Sequence, residues 1–124
     1  MTNATRLPAR MTGAAAALGL LVMPVLADEA LTGDGLRALI VGNTVQGTME
    51  TTGGYDEFYR PDGTIKAATY SGTWSIEGDS FCTQVGADPR ECWQGAKAGD
   101  EIHWLRDGKL DGTGKVTPGN PNNY

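Results

Sequence analysis

Apolar and polar positions alternate along most of this chain. In 72–77, Trp74 and Ile76 fall on one side and Thr73, Ser75 and Glu77 on the other. Phe81, Thr83 and Val85 share a face further on, as do Val45, Gly47 and Met49 earlier and Leu110, Gly112, Gly114 and Val116 later. A period of two is the mark of a strand with one buried face. Turn formers interrupt the alternation about every eight to twelve residues, at Thr52-Gly53-Gly54, Arg60-Pro61-Asp62-Gly63, Tyr70-Ser71-Gly72, Glu77-Gly78-Asp79, Gly86-Ala87-Asp88-Pro89, Ala98-Gly99-Asp100 and Arg106-Asp107-Gly108. Such spacing predicts an antiparallel meander, with strands at 44–51, 54–60, 64–70, 72–77, 80–85, 91–97, 101–106 and 109–117. Asp-Gly and similar pairs tolerate the positive φ that tight hairpins need. Glycines on the inward face predict strong curvature or close packing.

One segment departs from this period. Leu36, Leu39 and Ile40 recur at helical spacing, Thr32 or Asp34 can cap the start, and Gly42-Asn43 ends it. A helix of two to three turns is marginal alone, so its apolar stripe needs the sheet to pack on. The expected fold is therefore mainly β: a short N-terminal helix followed by an eight-stranded antiparallel meander. Closure into a small barrel removes the exposed edges of so long a meander; an open curved sheet with the helix across one face is the alternative.

The first 27 residues read differently. Arg6 and Arg10 precede an apolar stretch from Met11 to Met23, Pro24 breaks it, and Val25-Leu26-Ala27 follows. That pattern predicts an export signal cleaved after Ala27, with a mature chain starting at Asp28. The apolar core is shorter than the ~20 residues a membrane span requires, so no span is expected after cleavage. The expected organisation is a signal peptide at 1–27, one β-rich domain at 28–117 and a flexible tail at 118–124, in a periplasmic or secreted protein.

Charge and cysteine content narrow the function classes. All fifteen carboxylates and eight of the ten basic residues follow Ala27, so the −5 of the whole chain becomes about −7 in the mature part. Phosphate contacts need a basic patch, which argues against nucleic acid; a cationic protein partner is compatible. Cys82 and Cys92 are the two cysteines of the chain. Their spacing is not Cys-x-x-Cys, and one histidine is too few to complete a zinc site with them. In an oxidising compartment the pair is expected as a structural disulfide across a hairpin centred on Ala87.

Leu31-Thr32-Gly33, Gly42-Asn43-Thr44, Tyr59-Arg60-Pro61-Asp62-Gly63, Gly72-Thr73-Trp74, Cys82 with Cys92-Trp93, and Gly119-Asn120-Pro121 run through most of the mature chain. Together they resemble a pattern of small exported bacterial proteins of unknown function, which implies a β-rich periplasmic fold and no known activity. Gly72-Thr73-Trp74 is also similar to the Gly-x-Trp signature of lipocalins. There it lies on the first barrel strand; here it lies on the fourth candidate strand. In size, charge and compartment the chain further resembles small periplasmic barrels that inhibit lysozymes.

No catalytic motif stands out, and the protein is expected to be no enzyme and to hold no cofactor or metal. His103, the single histidine, lies on a strand beside Ile102 and Trp104 and reads as a surface or structural residue rather than a base. A small hydrolase using His103 ranks last among the readings. Asp56-Glu57 and Asp100-Glu101 are strand neighbours whose side chains point to opposite faces, so neither forms an acid/base dyad. Asp107-Gly108-Lys109-Leu110-Asp111-Gly112 lacks the ligands of a calcium loop and reads as a hairpin. Asp88-Pro89-Arg90-Glu91 is a charged loop held between the cysteines. Eight short strands enclose little beyond their own side chains, so a packed interior is expected, with Trp74 facing inward. The leading expectation is a non-enzymatic binding module that takes a small apolar ligand, with Trp74, Trp93, Trp104 and Tyr70 as contact residues. The second is an inhibitor or partner of a cationic exported protein such as a lysozyme-like hydrolase.

Overall fold

Thr32 starts the helix as expected: its Oγ1 accepts from the Gly35 amide at 3.1 Å, and α1 spans Gly33–Ile40. Gly42, at φ 80°, turns the chain into the sheet, and its amide donates to the Tyr59 carbonyl at 2.8 Å. These features come from a computed structural model that describes residues 28–124. The expected signal peptide, 1–27, lies outside the described residues.

Nine strands follow the chain order: β1 Glu29–Ala30, β2 Asn43–Met49, β3 Gly53–Tyr59, β4 Thr64–Lys66, β5 Ser71–Glu77, β6 Ser80–Val85, β7 Glu91–Ala98, β8 Glu101–Arg106 and β9 Lys109–Pro118. Each of β2 to β8 pairs antiparallel with its successor. β9 pairs with both β8 and β2, and this closes eight strands into a barrel. The expected closed barrel is what forms; the open sheet is not. The ninth strand, β1, escaped the sequence reading because two residues carry no periodicity. It pairs with the second half of β7, Glu29 opposite Lys97 and Ala30 opposite Ala96, beyond the stretch of β7 taken by β6.

Two local expectations are corrected. The strand expected at 64–70 ends at Lys66, because Ala67–Tyr70 forms a turn closed by the Ala67 amide on the Tyr70 carbonyl at 3.1 Å. Ala-Ala-Thr-Tyr contains none of the usual turn formers, so the sequence points to a turn three residues too late, at Tyr70-Ser71-Gly72. Leu110 leaves the inward row and is 49% exposed. Trp104 faces Gly112 but Leu105 faces Leu110, so Asp111 is an extra residue in β9 and the alternation flips before it.

The helix closes one end of the barrel. Leu36 and Ile40 are fully buried with Val45, Ile65 and Ile102. Gly95 makes room for the helix: a Cβ there would stand 2.8 Å from Leu36 Cδ2. The inward glycines of β2 and β9 serve the same end, since Gly47 faces Gly114 across the pair. A Cβ on Gly114 would collide with the Tyr55 hydroxyl and Val45, and one on Gly112 with the Met49 thioether. Glycine here is a space requirement for the side chains that cross the interior.

The disulfide forms as expected. Cys82 and Cys92 are register partners of β6 and β7, with Cα atoms 4.0 Å apart. They sit on the outer wall beside Glu77, which is ion-paired with Arg90 of the following loop. Among the described residues no helix is long and apolar enough to cross a membrane. Residues 119–124 carry no strand; the Thr44 hydroxyl donates to the Gly119 carbonyl at 2.7 Å, and Asn122 and Tyr124 reach Asp56 on the outside of β3.

Candidate functional site

The end of the barrel opposite the helix is open. There β2 ends, β3 begins, Tyr70 leads into β5, β6 ends and β7 begins. A cavity of about 250 Å³ occupies this mouth. Its floor is the upper side of an aromatic cluster, because inward rows of five strands, β3 and β5 to β8, deliver rings to one place. Trp74 stacks on Phe81 at 6.1 Å, Phe81 on Trp104 at 5.3 Å, and Trp104 meets Trp93 at 6.5 Å. Tyr59 sets its edge against Phe81 at 5.3 Å. The interior is thus packed near the helix, as expected, and hollow at the mouth, which was not.

Polar groups in the mouth are tied in two sets. Tyr55, Glu57 and Tyr59 share the inward face of β3. Tyr59 Oη donates to Glu57 Oε2 at 2.7 Å, and Tyr70 Oη donates to Glu57 Oε1 at 2.6 Å. The Trp104 indole donates to Tyr55 Oη at 3.0 Å, and that hydroxyl donates onward to the Thr113 carbonyl at 3.1 Å. Burial pushes the Tyr55 hydroxyl up to about 12, the Glu57 charge adds to it, and the Trp104 bond works against it. Burial first, then the charge and hydrogen bond of Glu57, hold Tyr59 well above its ordinary value. Burial and the bond to Glu57 raise Tyr70 as well. All three hydroxyls therefore keep their protons at neutral pH and remain donors.

Across the mouth, Trp93 donates to Asp111 Oδ2 at 2.7 Å, and Arg106 lies over the Trp93 ring at 4.9 Å from its centroid. Arg106 is 3.5 Å from Glu91 and 3.9 Å from Asp111. Its buried Nη2 makes no hydrogen bond among the described residues. The bulge is what turns Asp111 toward Trp93. Within a strand of unbroken alternation Asp111 would share the outward face of Thr113, which pairs with His103.

Of the four aromatics singled out from sequence, Trp93, Trp104 and Tyr70 line the cavity. Trp104 is 3% exposed and Tyr70 37%. Trp74 faces inward as expected, but it lies outside the cavity lining and donates to the Arg60 carbonyl at 2.8 Å. His103 projects from the outer wall, with Nδ1 2.7 Å from Asp28 and Nε2 3.8 Å from Glu101. Asp88 and Glu91 of the charged loop reach the cavity rim. Glu77 and the two cysteines cluster on the outer face, but the sulfurs are bonded to each other and offer no thiolate to a metal.

Sequence reasoning missed Glu57. The expectation that Asp56 and Glu57 lie on opposite faces holds: Asp56 points out to the C-terminal residues and Glu57 points in. The available signal was its row. Tyr55, Glu57 and Tyr59 alternate with the period of a strand, so an inward tyrosine pair carries a carboxylate in with it. No protein-family model, curated protein or solved structure matches the chain.

Proposed function

We propose that this protein is a non-catalytic binding module that takes a small ligand into the open mouth of its barrel, and that it works in the periplasm or after secretion. The observation that carries the reading is the cavity of about 250 Å³ with an aromatic floor and a few convergent polar groups, the usual composition of a ligand pocket. Barrels of eight strands are just wide enough to fill with side chains or to hold one small ligand. The use is lipocalin-like in that sense. The remoteness of His103 from the cavity supports binding over hydrolysis, because a base must reach the group it deprotonates.

Tryptophan fluorescence tests the reading directly, since Trp93 and Trp104 line the cavity. A saturable change on titration with small organic compounds, abolished by Thr83→Phe, is expected; Thr83 lines the same cavity, and a phenyl ring there fills it. Absence of any saturable response would overturn the reading. A second reading, a partner of a cationic exported protein, draws on Asp88 and Glu91 at the rim. Binding of that kind weakens steeply with salt, whereas binding inside the cavity changes less.

A further inference from the structure

We infer that the ligand of this cavity is a small organic cation, an alkyl- or quaternary ammonium, with Glu57 as its counter-ion; the inference rests on the binding-module reading above. Glu57 is the key group. Both of its oxygens accept hydrogen bonds, from Tyr59 at 2.7 Å and Tyr70 at 2.6 Å, as those of an ionised carboxylate do. A carboxylate offers about four acceptor sites, so two bonds leave it capacity for a ligand. Among the described residues its two partners are neutral hydroxyls, and the ion pairs there do not include it. Arg106 is engaged elsewhere, by Glu91, Asp111 and the Trp93 ring.

The surroundings select the class of cation. Tyr55, Tyr59, Tyr70, Phe81, Trp93 and Trp104 line the same cavity. Ring faces carry negative potential and attract an alkylated ammonium, which sheds its water readily. A hard metal ion requires six or more oxygens, and rings supply none. An anionic ligand would meet Glu57 and the rim carboxylates Asp88 and Glu91. A neutral apolar ligand would strip water from Glu57 and give nothing back. The volume sets the size: 250 Å³ exceeds the roughly 150 Å³ of a cavity that holds benzene, so the head group and a short chain fit. The formal charge of −5 favours approach of cations over anions.

Choline and 3,3-dimethylbutan-1-ol have nearly the same shape and differ in charge, which makes them the probes. Calorimetric titration of the protein with each is expected to show choline binding at least about tenfold more tightly. Glu57→Gln is expected to remove that preference while leaving the neutral alcohol's affinity within about twofold. Retained binding of the alcohol shows that the variant is folded. Glu101→Gln, a charge change on the outer wall, is expected to leave the preference intact. If the alcohol binds wild-type protein as tightly as choline, the cation inference is overturned and the cavity reading stands. If neither binds, both are overturned. The comparison on wild-type protein decides the matter even if Glu57→Gln does not fold.

Discussion

Tyr70 and Glu57, thirteen positions apart, are joined at the barrel mouth by a hydrogen bond of 2.6 Å. Tyr70 closes the turn between β4 and β5, and Glu57 lies in the middle of β3, so the bond ties a mouth loop to the barrel wall. Beside the turn's own backbone bond from Ala67 to Tyr70, this side-chain bond fastens the loop to β3. Tyr70→Phe is expected to lower stability by about 1 kcal/mol, below the range for a bond to a charged group because the site is exposed to solvent. Hydrogen exchange at 67–70 is expected to speed up more than exchange in β7. Unchanged exchange would show that the loop is held by its own turn.

The same tyrosines predict alkaline unfolding. The folded-state values of Tyr55, Tyr59 and Tyr70 all lie above the ordinary 10.0. A raised folded value means that the unfolded chain loses the proton first, so stability falls as pH rises. Their contribution is fully present below about pH 10 and is lost as pH climbs through the folded values, about 12 for Tyr55. Tyrosinate absorbance and circular dichroism are expected to change together in one transition. A separate early ionisation of these three residues would contradict the burial described.

Gly114 tests the space argument. Its Cβ would strike the Tyr55 hydroxyl and Val45, so Gly114→Ala is expected to cost ~1–3 kcal/mol by overpacking. Gly54 is the contrast, because a Cβ there meets only the Gly47 carbonyl at 3.8 Å. Gly54→Ala is expected to stay within about 0.5 kcal/mol of wild type. Urea unfolding of both variants measures the difference.

Trp74 and Trp93 separate stability from binding. Trp74 is 8% exposed in the core, and Trp74→Ala is expected to cost ~3–5 kcal/mol. Trp93 is half-buried at the mouth, so Trp93→Ala is expected to cost less than half as much while weakening ligand binding more. Denaturant midpoints and titrations on the same preparations check the ordering.

The disulfide closes a loop of sequence separation 10. Replacing Cys82 and Cys92 together by serine is expected to lower stability by ~2–4 kcal/mol. Thiol labelling of native protein is expected to find no free thiol; two reactive thiols would refute the pairing.

Local chemistry determined most elements of this protein. Alternation with period two, turn formers at regular intervals and a capped apolar stripe place one helix and eight strands nearly where they lie, because each signal depends on a few adjacent residues. The cysteine pairing is similarly local, since a hairpin centred on Ala87 puts Cys82 opposite Cys92. Strand β1 depends instead on a partner far along the chain, in β7, while the turn at Ala67–Tyr70 and the bulge at Asp111 are local features that carry no distinctive turn or pattern residues. Glu57 shows the difference most clearly. Its inward direction follows from the row it shares with Tyr55 and Tyr59, but its setting does not. Only closure of β9 onto β2 and β8 brings Tyr70, Trp93 and Trp104 around it. Only the helix at the opposite end decides which half of the barrel is filled and which is left open. Tertiary structure makes the cavity because a void is a property of what surrounds it, and no stretch of sequence contains its own surroundings.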